Sequence, residues 1–420
     1  MNTPNELSPT WLSKTAFASS IGTLCPAKDN KILVFSDSDT EKSDVIIGRL
    51  NADGTVDDTF NGTGFIKHVF PCEEGSLFFA LSARQQNDGK IFLVGTIVGA
   101  EALYPAAARF TDSGKADTSF GSGGFAVFED TSAALKESGL ANAKIRSARA
   151  QAFDIQRSNA HALSISHLAS GGYLIASAET GYLLSLNEDG TLNTAFGNNG
   201  SLLPRLKDKE VVHLQNAFVL DERILVAGYV ESKGVVAGFT LAGKLDETFA
   251  KEGARFISLG DATPVRLTNL SAATTLLNLV GFASTKEQRN GALLTRLTTK
   301  GAPDNSFNKG NPVLLNPDGR QADCRYVASG LNRSAGASIY IVGQTTLQNQ
   351  DDPRFYVAAY QKDGEPDNSF TPGGWGLGPE RSTALGMYLD TNNNMLLCGT
   401  TRDANGTYEG FVASYTLNGS

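Results

Sequence analysis

Three arginines and two histidines occur at similar distances before an apolar run in five successive parts of the chain. Each run ends at a glycine or a serine, and the basic residue stands 15 to 18 residues before that end. The five residues are His161, His213, Arg266, Arg325 and Arg381. A guanidinium group can hold a carboxylate or phosphate through two hydrogen bonds, so arginines brought together would form an anion-binding rim. The alternative is that each arginine pairs with a loop carboxylate, for example Asp261, Asp323 or Glu380.

Other residue types that catalyse reactions do not form recognisable motifs. The chain has 4 histidines and lacks a Gly-x-Ser-x-Gly sequence ahead of a helical pattern, so the sequence does not support a Ser–His–Asp triad. Glu73 and Glu74 form a carboxylate pair, but adjacent residues of an extended loop point apart, which favours a solvated loop. We therefore assign no catalytic residue and lean against an enzyme.

The cysteines give no sign of a metal site. Cys25, Cys72, Cys324 and Cys398 are far apart and lack Cys-x-x-Cys spacing. This arrangement argues against a zinc site or a disulfide framework and favours free, buried thiols. The sequence predicts neither a metal nor a cofactor.

The overall charge and hydropathy argue against several classes of partner. A net charge of -8 disfavours nucleic acid and, more weakly, anionic membranes. The richest apolar stretch, Leu276 to Ala283, is too short to span a bilayer. The N-terminal residues lack the basic start and apolar segment of a signal peptide. These features predict a cytoplasmic monomer by default, with export by a route that needs no cleaved signal remaining open.

An eleven-residue motif occurs six times in full along the chain. It begins with a large apolar residue, followed by Gly four residues later, by Asp or Asn three after the Gly, and by Phe six after it. The copies contain Gly54, Asp57 and Phe60; Gly114, Asp117 and Phe120; Gly190, Asn193 and Phe196; Gly243, Asp246 and Phe249; Gly301, Asp304 and Phe307; and Gly364, Asp367 and Phe370. Six gap-free matches, 53 to 76 residues apart, indicate an internal repeat of about sixty residues.

A seventh copy is divided between the two ends of the chain. Its first half is Tyr415 to Gly419, with the apolar residue again four before the Gly. Its second half is Leu7 to Trp11, where Trp11 stands in place of the phenylalanine. A divided repeat is what a closed ring requires, because joining the halves leaves no sheet edge exposed at the ends. The length of 420 residues therefore predicts one ring of seven units rather than two or three separate domains.

Each unit has room for four short strands, A to D, with the motif between C and D. Glycine supplies a positive φ, and the Asp or Asn can accept backbone N–H bonds and hold the loop. The phenylalanine is expected to pack under the loop against the neighbouring unit. The Asp-containing turns lack the spacing of a calcium-binding loop, which favours a structural role.

This motif resembles that of the delta-60-repeat β-propeller family, over essentially the whole chain. The resemblance implies an all-β, seven-bladed propeller with four-stranded blades, in which residues 1–17 supply the closing strand of the last blade. Ala242 and Asn193 depart from the pattern and weaken single turns. Because members of the family are largely uncharacterised, the resemblance implies a fold and little about function.

In such a ring the A–B and C–D turns share one face, and the B–C and D–A loops form the other. The longest interval between motif glycines, 76 residues, predicts a helical insertion at 131–156 on the D–A side. Loops that vary on a regular scaffold usually carry binding sites. We therefore expect residues 1–420 to form one non-enzymatic binding or scaffold propeller that engages a protein or glycan through the B–C/D–A face. The alternative is a carbohydrate-active enzyme or glycan-binding lectin, with a sialidase-like site at the channel mouth.

Overall fold

The structure is a computed structural model. It describes residues 6–15, 18–37, 43–99, 103–128, 164–178, 180–259, 263–273, 275–283, 291–316, 321–329, 339–346, 353–390, 394–403 and 405–417. None of the helical segments within these ranges has the length and apolar character needed to cross a membrane.

The described residues form a seven-bladed β-propeller, in which every blade is a four-stranded antiparallel sheet. Strand β1 is Trp11–Thr15. Blade 1 contains β2 (Ile21–Pro26), β3 (Ile32–Ser36), β4 (Asp44–Leu50) and β5 (Phe65–Val69). Blade 2 contains β6 (Leu77–Gln85), β7 (Ile91–Val98), β8 (Leu103–Phe110) and β9 (Phe125–Val127). Blade 3 contains β10 (Ser164–His167), β11 (Tyr173–Ser177), β12 (Tyr182–Leu186) and β13 (Ser201–Leu202).

The remaining blades repeat this order. Blade 4 contains β14 (His213–Leu220), β15 (Arg223–Val230), β16 (Lys233–Thr240) and β17 (Ala254–Ile257). Blade 5 contains β18 (Val265–Ala273), β19 (Leu276–Ala283), β20 (Gly291–Thr298) and β21 (Val313–Leu315). Blade 6 contains β22 (Gln321–Ser329), β23 (Ile339–Thr346), β24 (Arg354–Tyr360) and β25 (Trp375–Leu377). Blade 7 contains β26 (Ser382–Leu389), β27 (Asn394–Arg402) and β28 (Tyr408–Thr416), and β1 completes it. Short 3-10 turns occupy Lys28–Asn30, Asn308–Gly310 and Pro372–Gly374.

The ring closes as the divided motif predicts. Strand β1 pairs with β28, with Leu12 opposite Ala413, so the N-terminal strand completes the C-terminal blade. The first strand of every blade contacts the first strand of the next at all seven junctions, which places these strands around the central channel. The predicted fold is confirmed. The helical insertion predicted at 131–156 lies outside the described residues.

The hydrophobic core lies between the blades. One cluster joins Leu33 and Phe35 of blade 1 to Phe78 and Leu93 of blade 2. Because each sheet is covered on both faces by its neighbours, its middle strands are largely buried. Strand β7, for example, is buried along its full length.

Motif phenylalanines link each blade to the next. The ring of Phe120 in blade 2 occupies the space beside Gly190 in blade 3, where an added Cβ would lie 2.7 Å from Cε2 of Phe120. The same contact joins Phe60 to Gly114, Phe196 to Gly243, Phe249 to Gly301, Phe307 to Gly364, and Trp11 to Gly54. These six glycines also have φ values between 80° and 91°. Glycine is therefore required at these sites for its backbone conformation and for its lack of a side chain, and the expected packing of the phenylalanine is confirmed.

An arginine that the sequence reasoning overlooked completes the motif. In blade 1, Nε of Arg49 lies 2.7 Å from Oδ2 of Asp57, and the Thr59 hydroxyl donates to the other carboxylate oxygen. The guanidinium also covers the ring of Phe60 at 4.8 Å. Arg109 and Arg296 repeat this arrangement with Asp117 and Asp304.

Blades 3 and 4 are two of the blades that lack this arrangement, and each uses a different pair of side chains. In blade 3, Asn193 stands where the others have Asp, and Ser185 stands in the position of the arginine. Their side chains form a neutral hydrogen bond of 3.3 Å. In blade 4 the arginine position is Gly238, and Arg223 reaches Asp246 from the neighbouring strand. In blade 3 both positions of the pair therefore differ, whereas in blade 4 only the origin of the arginine differs.

A β-bulge interrupts the first strand in six of the seven blades. The extra residues are Gly22, Leu81, Gln215, Thr268, Arg325 and Leu385. The bulge turns the carbonyl of a preceding residue toward the second strand, where a side chain on the opposing glycine would collide with it. Gly228 faces the carbonyl of His213 in this way, and Gly281 faces that of Arg266. The recurrent glycine near the end of the second strand thus accommodates the bulge.

Candidate functional site

Three of the five basic residues singled out in the sequence lie at or beside the start of a first strand, on the B–C/D–A face. His213 begins β14, Arg266 is the second residue of β18, and Arg381 immediately precedes β26. Arg325 lies within β22, where only its backbone is described. His161 lies outside the described residues.

The bulges show that these residues do not share one level of the ring. Arg325 is itself the extra residue of its bulge. His213 and Arg266 each stand two residues before the extra residue, so they occupy equivalent positions in blades 4 and 5. Arg381 stands four residues before Leu385, outside the strand. Within the described part of the chain, only His213 and Arg266 are therefore brought together at one level.

Tyr229 joins these two residues. It pairs with His213 across blade 4, and the two rings are stacked with centroids 4.6 Å apart and planes inclined by 13°. The guanidinium carbon of Arg266, from blade 5, lies 4.6 Å from the centroid of the Tyr229 ring. It also lies 6.0 Å from the ring of Phe282, its own cross-strand partner. The result is a layered stack that crosses the boundary between two blades.

Tyr229 occupies a position that links blades elsewhere in the ring. It follows the glycine near the end of the second strand, and the equivalent residues include Asp37, Gln344 and Thr400. Asp37 accepts a hydrogen bond from the backbone N–H of Ala80 in the next blade at 2.9 Å. Gln344 and Thr400 likewise donate to backbone carbonyls of their next blades. Tyr229 makes its link through a cation–π contact with Arg266.

The stack leaves the guanidinium of Arg266 at the surface. Arg266 and His213 are exposed, and Tyr229 is half-buried. The side chain of Arg266 makes no hydrogen bond or ion pair with any described residue, and Asp261, the alternative partner, lies outside the described ranges. A guanidinium held flat against an aromatic ring keeps its N–H groups at its edge, where they can bind a carboxylate or phosphate.

Arg381 is held in a different way. Its backbone is in the left-handed region, with φ of 53°, and its carbonyl accepts a hydrogen bond from the backbone N–H of Arg402. Its Nη1 lies 3.5 Å from the carbonyl of Asp403 in the loop that follows β27. Arg381 thus bridges a D–A connection and a B–C loop.

The motif carboxylates are engaged within the protein. The Thr59 hydroxyl lowers the pKa of Asp57 to about 2, with burial opposing this and Arg49 reinforcing it. Burial opposes ionisation of Asp117, but hydrogen bonds from Ser119, Arg109 and Lys90 outweigh it and hold its pKa below the usual range. These contacts support the structural role predicted for the turns.

The cysteines are free thiols, as predicted. Cys25, Cys324 and Cys398 are buried, and Cys72 is half-buried. Burial raises the pKa of Cys25 to about 12, although a backbone hydrogen bond from Gln85 acts in the opposite direction. A thiol with such a pKa is not a nucleophile near neutral pH.

Comparison with known proteins supports a propeller repeat family. The family described as "Domain of unknown function (DUF5122) beta-propeller" matches residues 27–60 and 86–120. Both segments end at a motif phenylalanine, Phe60 or Phe120. A search of curated proteins found no match to this chain.

Solved structures resemble this chain only distantly. A streptogramin B lyase structure is 11% identical with a TM-score of 0.47, covering 96% of this chain and 98% of that chain. The Nup133 β-propeller domain of Vanderwaltozyma polyspora is 10% identical with a TM-score of 0.42, covering 96% of this chain and 97% of that chain. The polysaccharide lyase Uly1 is 8% identical with a TM-score of 0.39, covering 94% of this chain and 90% of that chain.

Proposed function

We propose that this chain is a non-enzymatic binding propeller that engages a protein or glycan partner through its B–C/D–A face. The observation that carries the proposal is the stack of His213, Tyr229 and Arg266 on that face. The delta-60-repeat assignment belongs to the same proposal and rests on the recurring motif.

The stack favours a partner with an acidic group. Within the stack, the guanidinium of Arg266 is exposed, and its N–H groups have no hydrogen-bond partner among the described residues. Uronic and sialic acids carry a carboxylate, as do the Asp and Glu side chains of a peptide. Arg325 and Arg381 belong to the proposed set because they lie in or before the first strands of the following blades.

A glycan-binding or carbohydrate-active site at the channel mouth is the second candidate. The rings of Tyr229 and Phe282 flank the guanidinium of Arg266 and favour this alternative. An acidic sugar offers an apolar ring edge and a carboxylate together, and binding sites commonly combine aromatic walls with a few polar groups.

The experiment is a binding screen with neutral glycans, acidic glycans and acidic peptides. We expect at least one acidic ligand to bind, and Arg266→Gln to weaken it by about 10-fold, the usual effect of losing a charged hydrogen bond. Lys244→Gln is the control, because it removes the same charge from an exposed turn on the opposite face. The proposal fails if no ligand binds, or if both variants bind like the wild type. Hydrolysis or elimination of a glycan would favour the second candidate.

A further inference from the structure

A pocket opens on the opposite face of the propeller, between blades 2 and 3. Its volume is about 250 Å³, and it lies where the A–B turn of blade 2 meets the C–D turn of blade 3. Its lining residues are Arg84, Gln86, Asn87, Asp88, His167 and Glu188. The pocket shares no residue with the stack formed by His213, Tyr229 and Arg266.

Buried side chains hold the walls of this pocket in place. The hydroxyl of Tyr173, which is almost fully buried, accepts a hydrogen bond of 3.0 Å from Nε2 of Gln86. The buried Arg109 donates to the backbone carbonyl of Glu188 and pairs with Asp117 at 2.7 Å. The rings of His167 and Tyr173 meet edge to face, with centroids 5.5 Å apart. The polar lining is therefore attached to a rigid network rather than to loose loops.

Three ionisable side chains of the lining have no partner within the described residues. Arg84, His167 and Glu188 make no hydrogen bond or ion pair there through their side chains. Asp88 uses one carboxylate oxygen to accept a hydrogen bond of 3.0 Å from the backbone N–H of Lys90. A concave site is a candidate for ligand binding when its charged side chains lack partners and buried contacts fix its walls.

The balance of charge defines the class of ligand. The lining carries one guanidinium, at Arg84, and two carboxylates, at Asp88 and Glu188. A simple anion would be repelled by the two carboxylates, and a simple cation would be repelled by the guanidinium. A ligand with one carboxylate and two ammonium groups would complement all three charges.

We propose that the pocket binds a free α-amino acid with a cationic side chain, of which lysine is the simplest representative. Arg84 holds the ligand carboxylate through its planar fork of N–H donors. Glu188 and Asp88 accept hydrogen bonds from the two ammonium groups, and His167 supplies a further polar contact.

The test compares L-lysine with three analogues that each lack one group, by isothermal titration calorimetry on the full chain. 1,5-Diaminopentane lacks the carboxylate, 6-aminohexanoate lacks the α-ammonium group, and L-norleucine lacks the side-chain ammonium group. We expect lysine to bind roughly 10- to 100-fold more tightly than each analogue, since each loses one charged hydrogen bond. The proposal is overturned if diaminopentane binds as tightly as lysine, or if no compound gives saturable binding.

Variants test the assignment of each charge. Arg84→Gln should weaken the binding of lysine by about 10-fold or more and should not weaken the binding of diaminopentane, which the guanidinium repels, whereas Glu188→Gln should weaken both. Lys300→Gln and Glu365→Gln are matched controls, because they make the same charge changes in exposed C–D turns of other blades. If a control variant weakens the binding of lysine as much as its counterpart does, the effect comes from the overall electrostatic field of the protein, and the pocket is not the binding site. All four side chains are at the surface, so unchanged melting temperatures will verify the fold. This outcome is independent of the acidic-ligand screen, which uses different ligands and a different face.

Discussion

The side chain of Trp11 lies against the backbone of Gly54, so the strand that completes blade 7 also contacts the turn of blade 1. This contact is the seventh-blade counterpart of the phenylalanine–glycine contacts elsewhere in the ring. It joins the N-terminal strand to both of the blades that it must hold together.

Replacing Trp11 with alanine should weaken ring closure. Loss of a large aromatic side chain from a packed site costs about 3–5 kcal/mol when it is fully buried, and we expect roughly 2–4 kcal/mol here because Trp11 is half-buried. Urea unfolding monitored by circular dichroism will measure the change. Leu12→Ala is the control, because the neighbouring Leu12 is 45% exposed. Equal losses in the two variants would contradict the closing role of Trp11.

Gly281→Ala should disturb the stack through the backbone. An added methyl group would meet the carbonyl of Arg266 and force the bulge of β18 to shift. Overpacking of this kind costs about 1–3 kcal/mol, and displacement of Arg266 should also weaken binding of an acidic ligand. Gly291→Ala is the control in the same blade, since its nearest neighbours would lie 3.8 Å away. A stable variant with unchanged affinity would show that the bulge does not position Arg266.

Tyr229→Leu should weaken acidic-ligand binding by removing the platform beneath the guanidinium. An exposed cation–π contact contributes about 0.5–1 kcal/mol, which corresponds to roughly 2- to 5-fold in affinity. Tyr229→Phe preserves the ring and should retain most of the affinity. Equal loss in both variants would assign the effect to the hydroxyl instead of the ring.

The motif carboxylates should make the fold sensitive to acid. The pKa of Asp57 is lowered from 3.8 to about 2, so its contribution to stability is present above pH 4 and is lost as the pH falls through about 2. The expected contribution is roughly 2 kcal/mol. Asp57→Asn should therefore reduce the free energy of unfolding at pH 7 and flatten its dependence on pH between 4 and 2. Asp58→Asn, at the exposed adjacent residue, is the control and should leave the slope unchanged.

The neutral pair of blade 3 should be convertible into the ion pair of blades 1, 2 and 5. Asn193→Asp alone would place a carboxylate beside the buried Ser185 without a cationic partner, and Ser185→Arg alone would leave the guanidinium without its carboxylate. The double variant should recover stability, with a coupling energy on the order of 1 kcal/mol or more in a double-mutant cycle. Additive losses would show that the two positions do not depend on one another.

The architecture could be predicted from the sequence because it depends on local chemistry that recurs. Gly54 and Phe60 stand at a fixed spacing that is repeated six times, and the divided copy that ends at Trp11 indicated closure. The role of Arg49 was less visible, because it stands outside the eleven-residue motif and blade 4 uses Arg223 from another strand instead.

The candidate site could be predicted only in part. Counting residues back from the second strand identified His213 and Arg266. The A–B connection is longer in blades 6 and 7, so the same count placed Arg325 and Arg381 at other levels. Tyr229 carried no signal of its own, since the equivalent positions hold Asp, Thr, Ala, Phe or Gln and the contact depends on a residue of the next blade.

The ion pairs and aromatic contacts of the turns also determine what could be copied to build another ring. A turn transplanted alone would lack its arginine, because Asp246, for example, pairs with Arg223 of a different strand. It would also lack the glycine of the next blade, against which its phenylalanine packs. The smallest unit that could be transplanted therefore contains parts of two neighbouring blades: the end of one blade and the turn of the next. Modules cut in this way would carry both halves of every contact, and a symmetric ring assembled from identical copies would need no adjustment at any junction.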